Sequence, residues 1–249
     1  MSNIRNRTIL FILIPILVIG SVAAYTLFNY ESAVKSGTWE NHQLLFILID
    51  DTEPQGGGGP GAVDMAFVAN FTNGKVENIT PIYPGDMAPS TNISAPPDVA
   101  GSVNSLDNTE TNLLLVDSFY WSNLTQDSQY AQQIVQSNTG IQTDGVMIIK
   151  PEAVDAIDNA VGPIYVNGTQ IGGSSLTYVR MLQHSDNQSR GDSVLTLFNA
   201  IVNASSTSKL PSLISTINSQ NSQGNIVTIP SGLIGQLITE EGANKLFGL

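Results

Sequence analysis

The sequence predicts an α/β protein in which helices flank a mixed β-sheet, preceded by one amino-terminal transmembrane helix. Short apolar runs alternate with helical patterns through the second half of the chain, which is typical of a layered α/β architecture. Two strand-like runs joined by Asn73-Gly74 predict an antiparallel hairpin in the first half, which makes the sheet mixed. Residues 9–28 form an uncharged apolar segment long enough to cross a bilayer.

The first predicted strand covers residues 44–50, a short apolar run that ends in two acids and is typical of a buried strand. Residues 63–71 and 75–82 form the predicted hairpin, which ends in a turn at residues 83–86. Further strands are predicted at residues 144–150, 164–166 and 226–229.

Helices are predicted where apolar residues recur at helical spacing between start and stop signals. In residues 151–161, Pro151 occupies the first turn and Gly162 follows the last. The other predicted helices are residues 127–138, 175–182, 192–202, 210–218 and 233–247. We find no internal repeat and no clear linker, so residues 44–249 are interpreted as one domain.

Residues 55–61, Gln-Gly-Gly-Gly-Gly-Pro-Gly, predict a mobile loop. No Gly-Lys-Ser/Thr follows them, so the segment is not a phosphate-binding P-loop, and it lacks a dinucleotide-binding fingerprint. We expect a flexible lid or a simple spacer.

The charges around the apolar segment predict how the chain is oriented. Two arginines precede the segment, and Glu31 is the first charge after it, so positive-inside bias places the amino terminus in the cytoplasm. The alternative is a cleaved signal peptide with a site at Ser21-Val22-Ala23. Because the apolar run continues beyond that site, we favour a retained single-pass anchor in the cell membrane. The predicted organisation is a cytoplasmic tail (1–8), an anchor (9–28), a stalk (29–43) and an extracytoplasmic domain (44–249).

The composition excludes several classes of function. The net charge is −12, whereas binding to nucleic acid requires a basic patch. The chain has no cysteine, which excludes disulfides, thiolate catalysis and cysteine-based metal sites. Several Asn-x-Ser/Thr sequons agree with a glycosylated, outward-facing protein: Asn70, Asn78, Asn92, Asn123, Asn167, Asn187 and Asn203.

Beyond the apolar segment the chain has two arginines, Arg180 and Arg190, and both lie within residues 176–192. A guanidinium group is planar and permanently charged, which suits phosphate or carboxylate. We interpret them as a candidate anion site, the alternative being surface arginines paired with the abundant acids. His184 and Asp186 are a candidate proton relay, although a single histidine in a polar loop usually has no such role.

Acidic residues gather where strands are predicted to end. Asp50 and Asp51 close the first strand, Asp64 begins the second, and Asp86 closes the hairpin. If the first two strands are neighbours, Asp50 and Asp64 meet at one edge of the sheet. Carboxylates placed in this way suit Mg²⁺, which usually comes with a substrate phosphate. The alternative is that they are the aspartates commonly found in turns.

Several segments together resemble the LytR-CpsA-Psr (LCP) envelope family, and more closely a related, uncharacterised archaeal domain family. The segments are residues 44–51 followed by Val63-Asp64, residues 81–86, residues 144–162 and residues 176–192. Bacterial members of the LCP family transfer a glycopolymer from a polyprenyl-pyrophosphate carrier to the cell wall. They bind the pyrophosphate with arginines and Mg²⁺ with aspartates, and the prenyl tail lies in an apolar tunnel between sheet and helices.

The resemblance implies that Asp50 and Asp64 hold Mg²⁺ and that Arg180 and Arg190 bind the phosphates and take part in catalysis. It also implies a catalytic role for Asp86. Other arginines of the family are replaced in this chain, by Thr52, Ala62, Gly85, Leu182 and Ser193. Because each lost charged contact is worth roughly 2–4 kcal/mol, these replacements weaken transition-state stabilisation.

The sequence therefore predicts a membrane-anchored protein that binds a polyprenyl-(pyro)phosphate-linked glycan outside the cell. If it retains activity, it transfers that glycan to a cell-envelope polymer. The alternative is a non-catalytic envelope-binding, lipid-binding or scaffold module that kept the fold but lost the arginine clamp. The predicted partners are the bilayer, the lipid-linked glycan and the envelope polymer, and nucleic acid is not expected.

Overall fold

A five-stranded mixed sheet forms the centre of the computed structural model. The structure describes residues 42–53, 56–72, 75–96, 112–166, 168–171, 174–185, 190–204 and 210–231. The strands are β1 (His42–Asp50), β2 (Ala62–Thr72), β3 (Lys75–Ile82), β4 (Gly145–Ile149) and β7 (Ile226–Ile229), with a separate hairpin of β5 (Tyr165–Val166) and β6 (Thr169–Gln170). The order across the sheet is β3-β2-β1-β4-β7, in which β1 and β4 pair parallel and the other neighbours pair antiparallel.

Strand β1 lies between β2 and β4, and its residues from Leu44 onwards are buried. Successive side chains alternate between the two faces of the sheet. Leu44, Phe46 and Leu48 therefore enter one core, whereas the residues between them enter the other. Burial on both faces explains why β1 is a continuous apolar run rather than an alternating one.

Helices cover both faces of the sheet. The helices are α1 (Leu124–Thr139), α2 (Pro151–Val161), α3 (Ser175–Ser185), α4 (Arg190–Ala204) and α5 (Leu210–Ser222). Helix α1 packs on one face together with residues 113–119, and the other four helices supply the core on the opposite face. The side chain of Asn123 accepts a hydrogen bond from Gln126 N to cap α1, which ends at Gly140 in the left-handed conformation.

The predicted fold class, a mixed α/β sheet flanked by helices, is confirmed. Strand β1 begins at His42, two residues before the predicted start of the domain. Helices α3, α4 and α5 are each longer than predicted, by two to four residues at one end or at both. Within the ranges given above, no helix combines the length and apolarity needed to cross a bilayer. The predicted anchor at residues 9–28 and the predicted helix at residues 233–247 lie outside those ranges.

The glycine loop differs from the mobile loop that its composition predicts. Gly58 pairs with Trp121 in an isolated bridge, and the backbone N–H of Gly59 donates to the Tyr120 carbonyl at 2.9 Å. A Cβ on Gly59 would lie 1.9 Å from the Phe119 carbonyl oxygen, and one on Gly57 would lie 2.3 Å from the Tyr120 ring. These glycines allow the loop backbone to lie directly against residues 119–121, so the described part of the loop is docked.

We expect Gly59→Ala to lower the free energy of unfolding by about 2 kcal/mol or more, because the methyl group meets backbone atoms that cannot move aside. Gly85→Ala is the matched control, since a Cβ there meets nothing within 4 Å. Urea unfolding of both variants provides the measurement. Equal stability of the two variants would contradict the docked loop.

A buried acid lies on the inner face of α1. Asp127 is fully buried, and neither of its carboxylate oxygens has a hydrogen-bond partner in the described structure. Burial raises the pKa of Asp127 to about 7, because a charge is costly away from water. The adjacent hydroxyl of Ser128 is also buried without a partner. The group is therefore largely neutral below pH 7.

We expect this acid to make the protein less stable as the pH rises. The folded pKa is raised, so the stability contribution is fully present below the unfolded pKa of about 3.9 and is lost as the pH rises through about 7. Asp127→Asn should therefore stabilise the chain at pH 8 by up to about 4 kcal/mol and have little effect at pH 4. Thermal unfolding across this pH range tests it, with Ser128→Ala as a control whose effect should not depend on pH.

Candidate functional site

The candidate site lies at the edge of the sheet where β1, β3 and β4 end and β2 begins. Asp50, the last residue of β1, pairs with Ala62, the first residue of β2. Strand β3 ends at Ile82 opposite Ala66, and β4 ends at Ile149 opposite Leu48. Strands β1 and β2 are therefore neighbours, as the predicted meeting of Asp50 and Asp64 requires. The two aspartates are at the same edge of the sheet.

A bulge in β2 sets the position of Asp64. The register shifts between Leu48 and Ile49, which pair with Met65 and Val63, so Asp64 is the extra residue of β2. Val63 packs in the core on the α1 face, whereas Met65 packs in the core under the other helices. Asp64, 7% exposed, lines a cavity on the latter face. Bulges often redirect a side chain beside a functional site, and this one brings Asp64 to the face of Asp50.

The carboxylate of Asp50 is held by a local network at the end of β1. Its Oδ1 accepts hydrogen bonds from the backbone N–H of Thr52 at 2.9 Å and from the Thr52 hydroxyl at 2.6 Å. Its Oδ2 accepts from Nη2 of Arg180 at 2.7 Å. The same Nη2 donates to Thr52 Oγ1, also at 2.7 Å. The Thr52 hydroxyl therefore connects the carboxylate to the guanidinium.

Arg180 and Asp50 are exposed to very different extents. The Asp50 side chain is 1% exposed, and the Arg180 side chain is 41% exposed. A second carboxylate, Oε1 of Glu53, lies 3.6 Å from Arg180 Nη2 and is itself 41% exposed. Arg180 therefore reaches from the surface of α3 to a buried acid and also lies close to the partly exposed Glu53.

These contacts determine the charge of Asp50. Burial raises the pKa of its carboxyl, but hydrogen bonds from Thr52 and Arg180 outweigh burial and bring the pKa below its usual value. Asp50 is thus a carboxylate at neutral pH. It is a buried charge whose partners are one hydroxyl, one backbone N–H and one guanidinium.

Further acids make this edge strongly anionic. Burial raises the pKa of Asp51, and the charges of Glu152 and Asp50 raise it further. Glu152 lies in the first turn of α2. Asp117 has a pKa of about 6, raised by burial and by the charge of Glu53. Each raised pKa has negative neighbours among its causes, so a bound anion would meet repulsion unless cations accompanied it.

Asp86 lies in the 3₁₀ turn Pro84–Asp86 that follows β3. Burial raises the pKa of Tyr83, and the charges of Asp192 and Asp86 raise it further, so both acids act on the Tyr83 hydroxyl. Asp192 lies in the first turn of α4, the helix that begins at Arg190. Tyr83 therefore lies within electrostatic range of both Asp86 and the first turn of that helix. The guanidinium of Arg190 and the side chains of His184 and Asp186 lie outside the described structure.

An apolar cavity of about 40 Å³ lies where the implied prenyl tunnel would run, between the sheet and the helices. It is lined by residues of β1, β4, α2, α3 and α4, with Asp64 and Ser175 as its polar groups. A volume of this size accommodates only a few water-sized groups. This cavity is therefore too small for a lipid tail, which would enter it only if the helices moved apart.

The residues present suit Mg²⁺ only in part. Among the residues that the structure describes, no three acidic or histidine side chains form a group that could hold a metal ion. Mg²⁺ is commonly bound by one or two carboxylates and completed by water and phosphate, which Asp50 and Asp64 suit. However, Oδ2 of Asp50 is bonded to Arg180. The described donor set at this edge is therefore incomplete for Mg²⁺.

Three residues that contribute to the site were not among the predicted site residues: Thr52, Glu53 and Tyr83. Thr52 had a usable signal, because a threonine two residues after an aspartate often donates to it locally. The sequence pattern marks Thr52 only as the replacement of a family arginine. Glu53 and Tyr83 had no local signal, since their roles depend on where α3 and α4 pack.

The fold and this edge define a class of protein: an α/β domain with an acidic sheet-edge site that one arginine enters from a helix. The chain belongs to the family described as "Protein of unknown function (DUF4012)", whose model matches residues 40–185. None of the curated proteins matches the chain.

Three solved structures are similar to this chain. The protein gbs0355 from Streptococcus agalactiae has 16% sequence identity and a TM-score of 0.50, over 80% of this chain and 74% of that chain. A LytR-Csp2A-Psr enzyme from Actinomyces oris has 17% identity and a TM-score of 0.49, over 83% and 77%. TagV from B. subtilis has 14% identity and a TM-score of 0.49, over 82% and 80%. The first likeness shows a shared fold.

We expect Thr52→Val to raise the pKa of Asp50 and to destabilise the fold by about 1–3 kcal/mol, because it removes a hydroxyl that both donates and accepts. The folded pKa of Asp50 is lowered, so its contribution to stability is present above the unfolded pKa and lost as the pH falls through the folded one. Acid unfolding of the valine variant should therefore begin at higher pH. Thr52→Ser keeps the hydroxyl and should behave like the native chain.

Proposed function

We propose that this protein is a membrane-anchored, outward-facing LCP-like protein that binds a polyprenyl-(pyro)phosphate-linked glycan and transfers it to a cell-envelope polymer. The observation that carries the proposal is the pairing of Arg180 with Asp50, at the same edge of the sheet as Asp64, which lines an apolar cavity. The sequence resemblance to LCP proteins supports the choice of ligand. We also propose that the chain is related to an archaeal branch of LCP-like proteins.

The described residues suit the two ends of such a ligand. Arg180 would bind a phosphate oxygen, and Arg190 would assist from the start of α4. Apolar residues of α3 and α4 at the cavity would contact the first part of the lipid. A divalent cation, when held by Asp50 and Asp64, supplies charge neutralisation for the phosphates.

The reaction proposed is phosphoryl transfer. A hydroxyl oxygen of the acceptor polymer forms a bond to the sugar-bearing phosphorus, and the bond from that phosphorus to the bridging oxygen breaks. Polyprenyl phosphate leaves with the bridging oxygen, and the acceptor loses its proton. Asp86, exposed beside Tyr83, is the candidate that would accept this proton. Catalysis of this kind depends on positioning and charge stabilisation.

A second candidate function is a non-catalytic module that binds the same lipid-linked glycan. The acidic surroundings of Arg180 favour it, as does the replacement of family arginines by Thr52, Gly85 and Leu182. Weak stabilisation of a developing negative charge would leave binding but reduce turnover.

The test uses the full chain purified from membranes in mild detergent. Mass spectrometry is expected to detect a co-purifying polyprenyl-phosphate lipid, and Arg180→Ala should reduce its amount at least tenfold. Lys75→Ala removes one positive charge from the start of β3, at the opposite end of the sheet, and should retain the lipid. Lipid-free native protein, or equal lipid in native protein and Arg180→Ala, would contradict the proposal.

Transfer from a lipid-linked glycan, followed with and without Mg²⁺, separates the two candidate functions. Turnover that requires Mg²⁺ and falls by about a hundredfold in Arg180→Ala is expected of the enzyme, since an oxyanion-type contact contributes about 10²–10³ in rate. Retained lipid binding without turnover would identify the binding module.

A further inference from the structure

We infer that Asn78 carries an N-linked glycan and that Asn70, its neighbour across the sheet, does not. Both residues begin an acceptor triplet, Asn70-Phe71-Thr72 and Asn78-Ile79-Thr80. Transfer of a glycan to Asn78 rests on the proposed outward-facing orientation, because the sugar donor and its transferase act on the non-cytoplasmic side of the membrane. It does not depend on which ligand the functional site binds.

The register of the sheet makes the two asparagines neighbours. Asn70 of β2 pairs directly with Asn78 of β3, and on its other side Asn70 pairs with Gln43 of β1. Val68, two residues from Asn70, and Ile82, four residues from Asn78, pack in the core on the α1 face. Because side chains alternate along a strand, both asparagines project from that same face.

The sheet has room for a glycan on only one of the pair. Residues directly opposite each other in antiparallel strands have Cβ atoms about 5 Å apart, which is too close for two bulky sugars. Asn70 is half-buried between Gln43 and Asn78, whereas Asn78 is exposed. Strand β3 is the outermost strand of the described sheet, so Asn78 has a cross-strand neighbour on one side only. The glycan therefore fits at Asn78.

The amide nitrogen of Asn78 can take the sugar and keep its hydrogen bond. Nδ2 donates to the hydroxyl of Thr80, the third residue of the triplet, at 3.5 Å. In the transfer, Nδ2 forms a bond to the anomeric carbon of a polyprenyl-linked oligosaccharide, and the bond from that carbon to the phosphate oxygen breaks. The lipid phosphate leaves with the electron pair, and Nδ2 gives one proton to a base of the transferase. The second amide proton remains and can still donate to Thr80.

A glycan on Asn78 lies at the end of the sheet opposite to Asp50. Gln43, which pairs with Asn70, comes seven residues before Asp50 in β1. At about 3.3 Å per residue, these two positions are roughly 23 Å apart along the strand. The modification therefore leaves the candidate functional site accessible.

Mass spectrometry of glycopeptides from the full chain, purified from the cells that make it, tests the assignment without any variant. Trypsin cuts after Lys75, and a second protease cuts before the aspartates on either side. The resulting peptides are residues 64–75, which contain Asn70, and residues 76–85, which contain Asn78. We expect the glycan on the second peptide alone. A second peptide without a glycan, or a glycan on the first peptide, would overturn the inference.

Variants made in the same cells test the dependence on the triplet, by their migration in denaturing gel electrophoresis. Thr80→Ala removes the triplet but not the asparagine, and should lose one glycan and migrate faster. Thr80→Ser retains the hydroxyl and should migrate like the native chain, as should Asn70→Gln. Unchanged migration of Thr80→Ala, or faster migration of Asn70→Gln, would show that the glycan is not on Asn78 alone and would overturn the inference.

The orientation of the chain is measured separately, by labelling intact cells with an amine reagent that cannot cross the membrane. A labelled chain that binds the polyprenyl lipid but has no glycan on Asn78 overturns the inference and leaves the proposed function standing. A chain with a glycan on Asn78 that co-purifies with no polyprenyl lipid supports the inference and contradicts the proposed function.

Discussion

The buried carboxylate of Asp50 is the constraint on which the rest of the site depends. Strand β1 is covered on both faces, so its last residue is removed from water while it still carries a charge. Its charge is sustained by Thr52 from the following turn and by Arg180 from α3, 130 residues away. The ion pair therefore connects the end of the central strand to the helical layer. Because the Asp50 carboxylate is buried, the loss of its cationic partner is costly.

Negative charges surround the candidate site at this edge of the sheet. Asp51, Asp117 and Tyr83 all have raised pKa values, and negative neighbours are among the causes in each case. One guanidinium that is already paired with two carboxylates cannot neutralise a pyrophosphate as well. The described part of this edge therefore presents one guanidinium among several acids.

Much of the fold could be predicted from local patterns. A few consecutive residues were enough to predict each of three features. They are the buried strand β1, the hairpin signal Asn73-Gly74 and the helix bounded by Pro151 and Gly162. The glycine loop was predicted wrongly, because a mobile spacer and a loop that docks on Phe119 and Tyr120 have the same composition. What separates them is a long-range contact, and no local pattern reports it.

The candidate site likewise combines features that local sequence predicts with features that depend on long-range contacts. Asp50 and Asp64 could be placed at one edge from the strand pattern alone, although the bulge that turns Asp64 towards the helices could not. The Asp50 network depends on Thr52, which looked like a lost arginine but supplies a hydroxyl between two charges. The size of the cavity follows from how α2, α3 and α4 pack, which the sequence does not specify locally.

The most direct test of the account is a crystal structure of the protein with Mn²⁺ and inorganic pyrophosphate, because Mn²⁺ can be located by its anomalous scattering. The account predicts one strong peak between the carboxylates of Asp50 and Asp64, with the Arg180 guanidinium bonded to a phosphate oxygen. A peak elsewhere on the surface, or Arg180 still bonded to Asp50 with pyrophosphate bound at a different place, would contradict it.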